Sequence, residues 1–135
     1  MTVKLYPKWK EALIRGDANA TLVGVRVALI NRAIYTYDDA HRFLTNGNAA
    51  SAIIGTPQDI ANPTYTNGIF GANPTQNFSN VPSGPTVGAI IVYIWTGSNA
   101  TSRLVFYSDE AQGLPIVPDG GDETITWDGA GIFAL

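Results

Sequence analysis

Cysteine is absent from this chain of 135 residues. That excludes a disulfide framework and a thiolate metal site, so packing must supply the stability. Charge is scarce as well: charged residues make up 14% of the chain, against about 25% in ordinary soluble domains. The formal net charge is −3, and the basic residues are scattered rather than clustered. A protein that binds the nucleic-acid backbone needs a basic patch to release counterions, so nucleic acid is not an expected partner. The longest apolar run, Ala89 to Trp95, falls far short of the ~20 residues that span a bilayer, and no membrane is expected either. The N-terminus has no apolar signal-peptide core, which predicts synthesis without secretion.

Histidine occurs once, as His41, beside Asp38, Asp39 and Arg42. A lone imidazole with no nucleophile near it in sequence offers no acid-base or metal mechanism, so His41 is read as a surface or cap residue. Asp119, Asp122 and Glu123 crowd one glycine-rich turn, but their spacing does not match a calcium loop, and a solvated turn is the simpler reading. The pieces Gly68 to Gly71 and Gly84 to Gly88 lack the Lys-Ser/Thr ending or glycine spacing of a phosphate cradle. The sequons at Asn19, Asn77 and Asn99 are expected by chance in so Asn- and Thr-rich a protein. No catalytic residue, no cofactor and no metal are therefore expected.

What the sequence does contain is short apolar segments separated by turn residues. Pro7 to Arg15 places proline where a first helical turn tolerates it, then Trp9, Leu13 and Ile14 at near-helical spacing, then Gly16 as a stop. Thr2 to Tyr6 alternates, as a short strand or an arm that pairs with a neighbour would. Thr21 to Ile30 has the period of two and the β-branched content of a strand. Tyr35 to Leu44, with Thr36 as N-cap, fits a short helix or helical turn. Asn46 to Pro85 is rich in turn dipeptides and reads as long loops with brief strands. Loops of that length are uncommon unless a partner orders them.

The second half is more regular. Val87 to Trp95 and Ser102 to Tyr107 form a hairpin pattern across Thr96 to Thr101, and a second hairpin is expected between Glu123–Trp127 and Ile132–Leu135. The predicted fold is mainly β: an antiparallel β-sandwich or small jelly-roll-like barrel with a short N-terminal helix and one further helical turn. A single domain is expected over 1–135, with an arm and helix at 1–16 and a sandwich at 17–135 whose long loops lie at 46–85.

A half-exposed strand alternates with polar residues, and Ala89 to Trp95 does not, so both of its faces need cover. The simpler source is the protein itself, a second sheet on one face and a helix on the other. A neighbouring subunit covering Tyr93 or Trp95 is the alternative. The candidate contact residues are Val3, Leu5 and Tyr6 in the arm, Tyr65, Phe70 and Phe78 in the loop region, and Tyr93 and Trp95. The C-terminal Ile-Phe-Ala-Leu135 is expected to end in a paired strand or against a partner. Trp95, Trp127 and Tyr65 also admit a carbohydrate-binding reading, as stacking platforms.

The order Val25 to Ile30, Tyr35-Thr-Tyr-Asp-Asp-Ala-His41, Gly68-Ile-Phe70, Ala89 to Tyr93, Thr101 to Leu104, Gly113-Leu-Pro-Ile-Val-Pro-Asp-Gly-Gly-Asp122 and Ile125-Thr-Trp-Asp128 resembles a family of small virion structural proteins of tailed bacteriophages. The resemblance covers nearly the whole sequence after the N-terminal helix and brings no catalytic motif. It implies a capsid decoration (cement) or minor capsid protein, or alternatively a neck or tail ring component. The implied partners are further copies of the protein, as a trimer or other cyclic oligomer, and the major capsid protein or neck and tail proteins. The implied location is the virion, after synthesis in the host cytoplasm. A surface poor in charge suits that role, because copies repel one another little.

Overall fold

The computed structural model of the protein describes residues 3–135. In sequence order its regular elements are β1 (Val3–Leu5), α1 (Pro7–Arg15), β2 (Val25–Ile30), β3 (Ile53–Asp59), β4 (Ile69–Phe70), β5 (Thr75–Phe78), β6 (Ala89–Ile94), β7 (Leu104–Ser108), β8 (Glu123–Thr126) and β9 (Phe133–Ala134). Single 3-10 turns lie at Ala18–Ala20, Asn46–Asn48, Ala50–Ala52 and Thr66–Gly68. Five strands make one antiparallel sheet in the order β1-β7-β6-β2-β3, and two ribbons, β4 with β9 and β5 with β8, lie outside it. The architecture is mainly β and sandwich-like, as the sequence predicts.

Every residue of β6 and β7 is buried, which is what an unbroken apolar run requires of a central strand. The expected hairpin forms between them, with a bulge at Val105 that sets Val92 opposite Phe106 and Tyr93 opposite Leu104. Side groups alternate across a strand, so Phe106 and Tyr107 leave β7 on opposite faces. Phe106 stacks on Phe133 of β9 at 5.7 Å between ring centroids. Tyr107 instead meets Tyr37 at 5.5 Å and Tyr35 at 6.2 Å. The ribbon containing Phe133 therefore covers one face, and the irregular segment containing Tyr35 and Tyr37 covers the other. Both covers come from the protein itself, but the second is an irregular segment and not the expected helix.

Several local expectations are corrected. The strand expected from Thr21 starts at Val25, and Val23 is exposed. Of the short helix or helical turn expected over Tyr35–Leu44, a single turn forms, and Asp38, not Thr36, organises it by accepting the Ala40 and His41 amides through its carboxylate and its carbonyl respectively. Phe43 then bridges to Arg103, the residue before β7. The 46–85 region carries more strand than loops would, because β3 forms the sheet edge opposite β1. Pro57 fits there because an edge strand can spare one amide. The second hairpin does not exist. β8 pairs back with β5, Thr126 opposite Thr75, and β9 pairs with β4, Phe133 opposite Phe70.

Helix α1 has Pro7 in its first turn and ends at Gly16, whose left-handed conformation (φ 78°) lets its amide reach the Leu13 carbonyl. Trp9 is buried, and its indole Nε1 donates to the Ala20 carbonyl at 2.9 Å. Ile14, expected on the buried stripe, faces solvent. The Asn-rich composition has a backbone use: Asn48, Asn62, Asn67 and Asn80 all occupy positive φ, which asparagine tolerates better than most other non-glycine residues.

Candidate functional site

On the Phe106 face the cover is incomplete, and a groove of about 580 Å³ opens between the sheet and the C-terminal ribbon. Val3 of β1, Phe106 and Ser108 of β7, Trp127 just after β8 and Phe133 of β9 line it. Its shape follows from the strand lengths, since β4 and β9 hold two residues each and cannot roof a five-stranded sheet. The charged residues in its wall are Glu110 and Asp128, both acidic. Exposed apolar residues line it, Val3 at 48% exposed and Ile69 at 36%, and Leu135, 70% exposed, follows the lining residue Ala134 in sequence. Beside it, β1 is the last strand of its sheet and has no strand on its outer side among the described residues, which leaves backbone groups free for another polypeptide.

The candidate contact residues divide sharply. Tyr6, Phe70, Phe78 and Tyr93 are buried in the protein's own core and present no surface to a partner. Their large apolar area goes to the fold, as burial of aromatic residues usually does. Leu5 and Trp95 are half-buried, and Trp95 lies under the Arg26 guanidinium at 5.0 Å. Val3 and Tyr65 are exposed, although Tyr65 is tied down by its hydroxyl, which donates to the Leu22 carbonyl at 3.1 Å. The arm does not reach out to a neighbour over its described part: Val3, Lys4 and Leu5 pair with Ser108, Tyr107 and Phe106 of β7. Thr2 lies outside the described residues. Trp127, offered as a stacking platform, is only 5% exposed, and its Nε1 has no hydrogen-bond partner among the described residues.

The opposite face holds a cluster that the sequence does not reveal. The Tyr6 and Tyr35 hydroxyls are 2.7 Å apart, and Tyr35 is 2.8 Å from Nδ1 of His41. With Nδ1 as acceptor, Tyr35 donates to His41 and Tyr6 donates to Tyr35, so both buried hydroxyls are satisfied in one direction. His41 is thus part of the internal network rather than a free surface residue. Its ring lies against Gly47, where a Cβ would collide with Cε1. Burial pushes Tyr6 far above the usual phenol range and raises Tyr35 to about 12. Tyr37 rises through burial and its bond to Asp39, and Tyr93 and Tyr107 rise through burial.

Arg103 is a second buried polar anchor. Its Nε donates to Asn19 at 2.7 Å, its guanidinium meets Asp17 at 3.3 Å, and it stacks on Phe43 at 5.0 Å. It ties the segment after α1 to the start of β7. The acidic turn is structural: Asp122 accepts the Asn80 amide and Asp119 accepts the Gly121 amide, each at 3.0 Å. Among the described residues no group of three His, Asp or Glu stands close enough to hold a metal ion, and no helix is long and apolar enough to cross a membrane.

Fold and groove together define a small sandwich-like β protein with an apolar cleft at the sheet edge. No protein-family model matches the sequence, and no match to it is found among curated proteins.

Proposed function

We propose that this protein is a non-enzymatic structural protein of a tailed-phage virion, a capsid decoration (cement) or minor capsid protein that stabilises the head by packing against copies of itself and the major capsid protein. One observation carries the reading: a groove flanked by exposed apolar residues lies beside a sheet edge free to accept another polypeptide. Exposed apolar surface that is contiguous with a groove marks interaction sites in folded proteins, and an open strand edge adds backbone hydrogen bonds to the contact. The low charge of the protein lets many copies crowd on a lattice without strong repulsion. The carbohydrate reading loses one of its three platforms, since Trp127 is only 5% exposed.

Quantitative mass spectrometry of purified virions tests the proposal. Copy numbers on the scale of the capsid lattice support cement. About six to twelve copies per particle would move the protein to a neck or tail ring, on the assumption of closed cyclic symmetry. Absence from the particle overturns the reading.

A further inference from the structure

The tripeptide Thr-Asn-Gly occurs twice, at Thr45-Asn46-Gly47 and Thr66-Asn67-Gly68, and the fold treats the two copies differently. At the first, Asn46 Oδ1 accepts the backbone amides of Arg42 at 2.7 Å and Phe43 at 2.9 Å. Gly47 is exposed, but one side of it lies against the His41 ring, where a Cβ would collide. The Asn46 carboxamide is therefore clamped by two amides. At the second, Asn67 and Gly68 are both exposed, and Asn67 lines a shallow cleft open to solvent. The Asn67 carboxamide makes no hydrogen bond among the described residues.

We propose that Asn67-Gly68 is a site of spontaneous deamidation, and that the same tripeptide at Asn46 is protected by its clamp. The reaction needs only water and the protein itself. The Gly68 backbone nitrogen, losing its proton to hydroxide, attacks Cγ of Asn67. The new bond from nitrogen to Cγ forms as the bond from Cγ to Nδ2 breaks, and ammonia leaves. Water then opens the five-membered succinimide at either carbonyl, giving isoaspartate or aspartate. The sum is one water consumed and one ammonia released, with no change of oxidation state. Glycine permits the attack because it has no Cβ to crowd the approaching amide, and asparagine is a thermolabile residue type.

The product acts on a structural element. Gly68 accepts the Leu135 amide through its carbonyl at 3.0 Å, and the next residues, Ile69 and Phe70, pair with Ala134 and Phe133. Isoaspartate lengthens the backbone by one methylene at the turn that sets this register, and both products place a new carboxylate there. Conversion thus loosens β9, the strand that forms one wall of the groove. The age of the protein is written into the surface proposed above to face a partner, although the chemistry holds whatever that partner is.

Peptide mapping of the intact native protein during incubation in mildly alkaline heavy-oxygen water tests this, with the protein in denaturant as the control. In denaturant both sites should convert at similar rates and incorporate heavy oxygen, since the clamp is gone. In the native protein Asn67 should convert severalfold faster than Asn46. Amide exchange of Phe133 to Leu135 should rise in the isoaspartate product, and much less in an Asn67→Asp variant, whose backbone keeps its length. Equal native rates at the two asparagines, or an unconverted Asn67 after both sites have reacted in denaturant, overturn the proposal. Unchanged exchange at β9 overturns the coupling to the groove.

Discussion

The two faces of the central sheet are covered by aromatic residues of opposite character. On the Tyr107 side, Tyr6, Tyr35, Tyr37 and Tyr107 surround one another, and the Tyr6 and Tyr35 hydroxyls and the His41 imidazole form a hydrogen-bonded series. On the Phe106 side, Trp9, Phe70 and Phe106 all pack against Phe133, with no hydroxyl inside the contact. Hydrogen bonds require defined positions, so the first face is specified in detail, and the pocket left between Tyr35, Tyr37 and Tyr107 is only about 160 Å³. Apolar contact requires only complementary shape. The second face is held by short ribbons and is the one left open as a groove. The hydroxyl-linked cover thus goes with the smaller opening and the apolar cover with the larger.

Raising the pH attacks one face and spares the other, and it has the largest expected effect. Burial holds Tyr6, Tyr35, Tyr37 and Tyr107 above the ordinary phenol value of about 10, Tyr35 at about 12. The unfolded state therefore loses protons first as pH rises. Stability is full below pH ~10 and falls progressively between there and about 12. Tyrosinate absorbance and far-UV circular dichroism should change together. If the cluster tyrosines ionised near pH ~10 with the fold intact, this account would be wrong.

Phe133→Ala attacks the other face. It should cost about 3–5 kcal/mol in urea unfolding, because it removes a ring contacted from three sides and leaves a cavity. Tyr35→Phe comes next, at about 1–3 kcal/mol, because the buried Tyr6 hydroxyl and His41 Nδ1 lose their shared partner. Tyr6→Phe should cost less, about 0.5–1.5 kcal/mol, since Tyr35 still donates to His41. A reversed order for the two tyrosines would mean that the series of hydroxyls runs the other way.

The legible parts of this fold are those specified locally. The β6–β7 hairpin is visible because an apolar run, a turn and a second apolar run follow one another in sequence. The C-terminal hairpin misleads because its turn is real, Gly131 donating to the Asp128 carbonyl, while the ladders on either side lead to strands far earlier in the sequence. No local pattern encodes that choice. Strand β5 is hidden by its composition: in Thr75-Gln-Asn-Phe78 the buried positions are Gln76 and Phe78, and a buried glutamine breaks the apolar alternation. For the same reason Phe70 and Phe78, set among turn residues, look in sequence like loop aromatics available to a partner. His41 reads as a surface residue because its partners, Tyr35 and through it Tyr6, come together only when β1 joins the sheet. The groove has no sequence signature, because it is the space two-residue strands fail to cover.

The smallest effect on stability should come from the groove rim, and it asks which face meets other proteins. Val3→Lys places a charge on an exposed edge position, where a substitution away from core features changes stability by no more than about 0.5 kcal/mol. A lysine on an edge strand also opposes pairing with a further strand. Ile34→Lys makes the same chemical change at another exposed apolar residue, in the segment that leads into the tyrosine cover. If the open face is the docking surface, Val3→Lys lowers occupancy on purified particles while Ile34→Lys leaves it unchanged, both with unaltered urea midpoints. The opposite pattern would transfer the contact to the tyrosine face. The groove would then be a by-product of short strands, and the division between a hydroxyl-linked face and an apolar one would describe the fold without describing its use.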